Sequence, residues 1–199
     1  MASPYEGTPE SKWLKKTNEL IAKLPVTKEE LVSVVLCCWK DIFESSFGKA
    51  GYKIGVDIFP KPQIMGFFLH ELIPLELAAR KNNEWWVDKT KSEKDLVCIN
   101  DESLSIELKT SSHPSQIFGN RSYAQETTTR KKDKSGYYLT VNFGKFSGKG
   151  KMPEITQICL GWLDHSDWKG QTAASGQQAS VSRSAQQYKL LKIYPNKAV

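Results

Sequence analysis

Disulfides, zinc and membrane spans find little support in this chain of 199 residues. It has four cysteines and three histidines. Cys37 and Cys38 are adjacent, Cys98 and Cys159 stand in apolar runs, and there is no CxxC pair. Neither His70, His113 nor His165 lies at zinc-site spacing from a cysteine, so buried, reduced thiols are expected. The longest apolar run, 31–39, is too short to cross a bilayer and is interrupted by Ser33. The opening MASPYEGTPE lacks the basic-then-apolar pattern of an export signal, so a cytoplasmic protein with no membrane partner is expected. Glycine-rich phosphate loops and Ser-His-Asp constellations are also missing, which argues against nucleotide-triphosphate and serine-hydrolase chemistry.

What remains is a folded, basic chain. Its six tryptophans and its apolar content suit a buried core, and its length suits a single domain, 1–199. The formal charge of +6 suits a polyanionic partner. The N-terminal part, 8–46, reads as two helices. In the first, Trp13, Leu14, Thr17, Leu20, Ile21 and Leu24 form a stripe that Pro25 ends. In the second, Thr27 and Glu30 form a capping box. A third, apolar helix over 63–80 carries Glu71 and Glu76, and Pro74 is expected to kink or split it.

The most informative stretch is 93–112, EKDLVCINDESLSIELKTSS. Two apolar runs, 96–99 and 104–108, flank the polar cluster Asn100-Asp101-Glu102-Ser103, the pattern of two joined strands. Leu104, Ile106 and Leu108 alternate with Ser105, Glu107 and Lys109, so Glu107 and Lys109 share a face. A hairpin centred on Asp101 brings Asp95 opposite Glu107, with Cβ atoms about 5 Å apart, where like charges repel unless a cation lies between them.

An Asp followed at a distance by Glu-x-Lys in a strand resembles the active site of PD-(D/E)xK nucleases, with Asp95, Glu107 and Lys109 as the matching residues and Lys94 where a proline is usual. The segments FPKPQIMGFFLHELIPLE and GNRSYAQ further resemble type II restriction endonucleases akin to ScaI. The resemblance implies an α/β fold with a restriction-endonuclease-like core, a mixed central sheet flanked by helices. It also implies hydrolysis of double-stranded DNA at a short specific sequence. Mg²⁺ would be held by Asp95, Glu107 and the carbonyl of Leu108, with Lys109 beside them and Glu71 as an extra acid from the third helix. A homodimer acting on a palindrome and a cognate DNA methyltransferase as a cellular partner are further implications.

The chain beyond the hairpin is rich in groups suited to DNA. Gln116, Asn120, Arg121, Ser122, Tyr123 and Gln125 offer donors and acceptors of the kind that read base edges. Between 127 and 151, Arg130, Lys131, Lys132, Lys134, Lys145, Lys149 and Lys151 face one acid, Asp133, as phosphate contacts require. Strands are expected over 137–143, 155–162 and 188–194. The turn Asp164-His165-Ser166-Asp167 is assigned a structural role. The Gln/Ser-rich stretch 170–187 reads as an internal excursion, a linker by composition, with Gln177, Gln178, Ser182 and Arg183 as candidate DNA contacts. Two alternatives stay open: a structure-selective or repair nuclease of the same fold, and a non-catalytic DNA-binding domain.

Overall fold

A computed structural model describes residues 3–87, 94–126, 134–147, 151–173 and 175–195. After a 3₁₀ turn at Glu10–Lys12, the helices α1 (Trp13–Ile21), α2 (Lys28–Glu44) and α3 (Pro62–Arg80) come first. The capping box of α2 is complete: the Thr27 hydroxyl accepts the Glu30 N–H at 3.1 Å, and the Thr27 N–H donates to the Glu30 carboxylate at 2.7 Å. The apolar stripe of α2 places Leu31, Val34 and Val35 wholly out of solvent, each contributing roughly 1.5–3 kcal/mol by burial. Pro74 neither ends nor splits α3. Lacking an N–H, it leaves the carbonyl of His70 without its helical donor.

The strands are β1 (Trp85–Val87), β2 (Leu96–Cys98), β3 (Ile106–Ser111), β4 (Phe118–Asn120), β5 (Gly136–Phe143), β6 (Ile155–Leu163), β7 (Trp168–Gly170), β8 (Gln178–Val181) and β9 (Leu190–Tyr194). Six of them form a mixed sheet in the order β1-β2-β3-β5-β6-β9. The β3–β5 pair is parallel and the other pairs are antiparallel. Alternation along the central strands separates two faces. Ile106, Leu108, Tyr137, Leu139, Val141, Ile158 and Leu160 join the cluster built with α1–α3. Tyr138, Cys159 and Leu163 join a second cluster with Trp168, Val181 and Ala185. That second cluster belongs to a small sheet, β4-β8-β7, and a short helix, α4 (Arg183–Tyr188).

The stretch 170–187 therefore differs from the linker that its composition predicts. It contains β8 and most of α4, whose inward residues Ala179, Val181 and Ala185 are buried. Small apolar residues spaced among Gln and Ser are enough to dock it, a long-range effect that composition does not register. The expected strand at 104–108 also shifts, to Ile106–Ser111, because Asp101 caps a 3₁₀ turn over Glu102–Leu104 through the Ser103 N–H at 2.9 Å. On the helical side, α3 comes so close to β3 that a Cβ at Gly66 would lie 2.7 Å from the Thr110 hydroxyl oxygen. Glycine at that position lets the helix approach the strand that carries the site.

Candidate active site

Leu96 pairs with Ile106, so the hairpin is centred on Asp101, as the spacing predicts. The next opposed positions are Asp95 and Glu107. The β2 strand begins only at Leu96, and Asp95, just before it, turns its side chain onto the ladder: Oδ2 accepts the Leu108 N–H at 2.6 Å. The carboxylate thus replaces the carbonyl that a continuing strand would have presented to that donor. Its other oxygen lies 3.7 Å from His70 Nδ1 on α3, and both side chains are about one-third exposed.

Glu107 and Lys109 point together from β3. The Lys109 ammonium donates to Glu107 Oε1 at 2.7 Å and to the Leu108 carbonyl at 3.0 Å. Glu107 also accepts the phenolic O–H of Tyr123. Burial alone pushes the Glu107 carboxyl upward, yet the positive charges of Lys109 and Lys94 outweigh it and bring the pKa down to about 2. For Lys109, burial works against the charged form, but Glu107, Tyr123 and Asp95 outweigh it and raise its pKa. Burial raises the Tyr123 hydroxyl. The site consequently holds an ionised carboxylate, a protonated amine and a neutral phenol.

The donor set fits a divalent cation. Two carboxylates and a backbone carbonyl are hard oxygen ligands, and Glu107 Oε1 and Leu108 O already converge on one positive charge, the Lys109 ammonium. Among the described residues no group of three or more His, Cys, Asp or Glu side chains is disposed to hold a metal, so the side chains supply only two acids. Glu71 is exposed on α3 and takes no part in the contacts made by Asp95, Glu107 and Lys109. His70, one residue earlier, is the α3 side chain that meets Asp95. From the sequence alone, His70 is weighed only as a zinc ligand. The signal that was available is its register: four residues after Gly66, it lies on the helix face turned to β3.

The residues with candidate DNA roles divide into groups. Asn120 and Gln178 are exposed partners in the β4–β8 pair, and Ser122, Gln125, Gln177 and Gln116 are exposed as well. Arg121 is engaged with the connection between β7 and β8, donating from Nη1 to the carbonyls of Ala173 and Gly176 at 3.3 Å each. Ser182 caps α4 through the Ala185 N–H, and Arg183 is exposed at the start of that helix. Tyr123 is buried and turned toward Glu107. Arg130, Lys131 and Lys132 lie outside the described residues, as does Lys149. Lys94 and Lys134 carry charge near the site: Lys94 lies 5.3 Å from the Tyr138 ring centroid and Lys134 4.9 Å from that of Tyr123.

A six-stranded mixed sheet with helices packed on it, its hairpin opposing an aspartate to a glutamate that lies two residues before a lysine, defines a restriction-endonuclease-like protein. The chain belongs to the ScaI restriction endonuclease family, whose sequence model matches residues 3–194. It is 47% identical over 194 residues to the type II restriction enzyme ScaI of Streptomyces caespitosus, covering 96% of this chain and 85% of that protein. Among the described residues, no helix is long and apolar enough to cross a membrane.

Proposed function

We propose that the chain is a type II site-specific deoxyribonuclease in which Asp95, Glu107 and the Leu108 carbonyl hold Mg²⁺ beside Lys109. The observation that carries this reading is the convergence at Leu108. Its N–H is bound by Asp95 at 2.6 Å, and its carbonyl shares the Lys109 ammonium with Glu107. When bound, the metal supplies Lewis-acid chemistry: it polarises the scissile phosphate, lowers the pKa of a bound water and offsets charge on the leaving oxygen. Glu107, with its pKa lowered to about 2, stays ionised at neutral pH and so carries the negative charge that a cation would need. Lys109, with its pKa raised, keeps its proton. Its role is to orient the attacking water and stabilise developing negative charge, not to act as a general base. The Asp95 bond to Leu108 fixes the strand backbone between the two acids, so their separation does not drift with side-chain rotamers.

Asn120, Ser122, Gln125, Gln177 and Gln178 present exposed hydrogen-bonding groups from β4, β8 and their flanks, suited to base edges. Arg183 and Lys145, both exposed, suit phosphates. A homodimer with two-fold symmetry would carry one such site to each strand of a palindrome. A cytoplasmic setting, with a DNA methyltransferase that protects the host's own sites, completes this reading.

The test is digestion of a mapped plasmid in Mg²⁺. Discrete fragments from one sequence, lost in Asp95→Ala and Lys109→Ala, are expected. Cutting only at junctions or ends would move the assignment to a structure-selective nuclease. Full Mg²⁺-dependent cleavage by both variants would overturn the site.

A further inference from the structure

Tyr123 has no evident task in the chemistry above, yet it joins two parts of the molecule with different roles. Its backbone lies in the 3₁₀ turn Arg121–Ala124, directly after β4 and between the exposed Asn120 and Gln125. Its hydroxyl reaches Glu107, 16 positions earlier in the chain, on the strand that carries the acid and the lysine. The ring is confined on several sides. It packs on Trp168 of β7 with centroids 5.0 Å apart. A Cβ at Gly119 would lie 3.0 Å from a Tyr123 ring carbon and 3.1 Å from the Trp168 ring, so a side chain there would press on both rings. Two ammonium groups complete the setting, Lys109 at 4.7 Å and Lys134 at 4.9 Å from the ring centroid.

A ring packed at interior density does not swing independently of its backbone. When the turn between Asn120 and Gln125 shifts, the phenol shifts with it, and the hydrogen bond to Glu107 tightens or lengthens accordingly. We propose that Tyr123 is a positioning residue through which contact of the β4 turn with the correct bases sets the orientation of the Glu107 carboxylate, so that base recognition is read out in the cleavage step. This rests on the assignment of Glu107 to the active site given above. The hydroxyl makes no contact with the scissile group in this scheme; it acts through the acid. Base contacts made by Asn120, Ser122 or Gln125 seat the turn, and a mismatched base leaves it displaced. The carboxylate then loses a donor that holds it beside Lys109, and discrimination appears in the rate of cleavage as well as in binding.

Tyr123→Phe removes one oxygen and keeps the ring, its packing on Trp168 and both cation–π contacts. Single-turnover cleavage is measured on a duplex carrying the mapped site and on a second duplex differing by one base pair. Duplex binding is measured without divalent metal. The expected result is binding within twofold of wild type, cleavage of the correct site slowed about 10- to 100-fold, and a smaller loss on the altered site, so that the ratio of the two rates contracts. An equal loss on both duplexes would make Tyr123 a support for Glu107 with no part in recognition. Weakened binding with unchanged cleavage rate would make it a direct DNA contact. Either result, or unchanged rates, overturns the proposal. Gly119→Ala presses on the same ring without altering any hydrogen-bonding group and should contract the ratio in the same direction; it carries the test if Tyr123→Phe does not fold. Full cleavage by Glu107→Gln would be a different failure, that of the active-site assignment itself.

Discussion

Two buried lysine–carboxylate groups among the described residues are built from the same chemistry for different ends. In one, Lys189 lies 3.1 Å from Asp164 and 2.9 Å from both Asp167 oxygens, with the rings of Tyr5 and Trp13 at 4.2 and 4.5 Å. The acids there are occupied by the fold as well: Asp167 accepts the Asp164 N–H at 2.8 Å, and Asp164 accepts the Ser3 hydroxyl at 2.8 Å. In the other, Glu107 and Lys109 are enclosed on the Tyr123 side but border Asp95, which is 31% exposed and whose second oxygen lies 3.7 Å from His70. The charge balance also differs. Two carboxylates share Lys189, whereas Glu107 feels both Lys109 and Lys94. Burial accordingly raises Asp167, while the cations bring Glu107 down to about 2 despite its burial. The carboxylates around Lys189 are closed to solvent and already held by Ser3 and backbone, which fixes structure; beside Glu107 the partly exposed Asp95 carboxylate leaves an edge that a cation can reach.

The comparison breaks most sharply if the two lysines exchange consequences. Lys109→Ala is expected to slow cleavage by about 10³-fold or more while duplex binding in the absence of metal stays within a few-fold. Lys189→Met leaves two buried carboxylates without their counter-charge and is expected to lower unfolding free energy by about 3–5 kcal/mol in urea titration. The protein that remains folded should cleave at the wild-type rate per molecule. A Lys189 variant of normal stability that fails to cut would place both groups in the catalytic machinery and remove the distinction.

Acid sharpens the same contrast with a smaller effect. Because the Glu107 pKa is lowered in the fold from an ordinary 4.5 to about 2, its ionised form contributes stability that is present above pH 4.5 and is lost as pH falls toward 2. Asp167 is raised, so its effect runs the other way: the fold is favoured at low pH and disfavoured as pH climbs through the raised value. Glu107→Gln, followed by denaturant titration in EDTA, should flatten the acid limb between pH 4.5 and 2. An acid limb as steep as that of wild type would mean that the Lys109 and Lys94 charges do not act on Glu107 as described.

How far sequence reasoning reached follows the range of the interactions involved. The hairpin register was legible because Asp95 and Glu107 stand equally far from Asp101 and strand alternation is local; Leu96 opposite Ile106 follows from counting. The α2 cap was legible for the same reason, since Thr27 and Glu30 satisfy each other within one turn. Tyr123 was not. In a polar segment it reads as a base contact, and nothing nearby in sequence announces Gly119 below its ring or Trp168 beside it, 45 residues on. The small sheet was hidden likewise, because β7 and β8 are short and β8 finds its second partner, β4, far earlier in the chain. Asp164 and Asp167 were recognised as structural from their crowding, but their lysine, Lys189, stands 25 and 22 residues away.

The smallest expected effect concerns the cation itself, and it separates the two groups without any DNA. At a divalent concentration ten times the dissociation constant, binding to the native state alone adds about 1.4 kcal/mol, or roughly 3–5 °C in melting temperature for a chain of this size. Mg²⁺ or Ca²⁺ should produce that rise in wild type, and Asp95→Asn and Glu107→Gln should each abolish it. Lys189→Met should melt lower yet keep the same increment, because its carboxylates are held by Ser3 and by backbone. Lys109 makes the more demanding case. Its ammonium lies on Glu107 Oε1 and Leu108 O, two of the oxygens assigned to the metal, so ammonium and divalent ion compete for them. Lys109→Met should therefore show a larger metal-dependent rise than wild type although it no longer cuts. A smaller rise would mean that the lysine assists metal binding, and the site would then be a cooperative unit in place of two cations contending for one pair of oxygens.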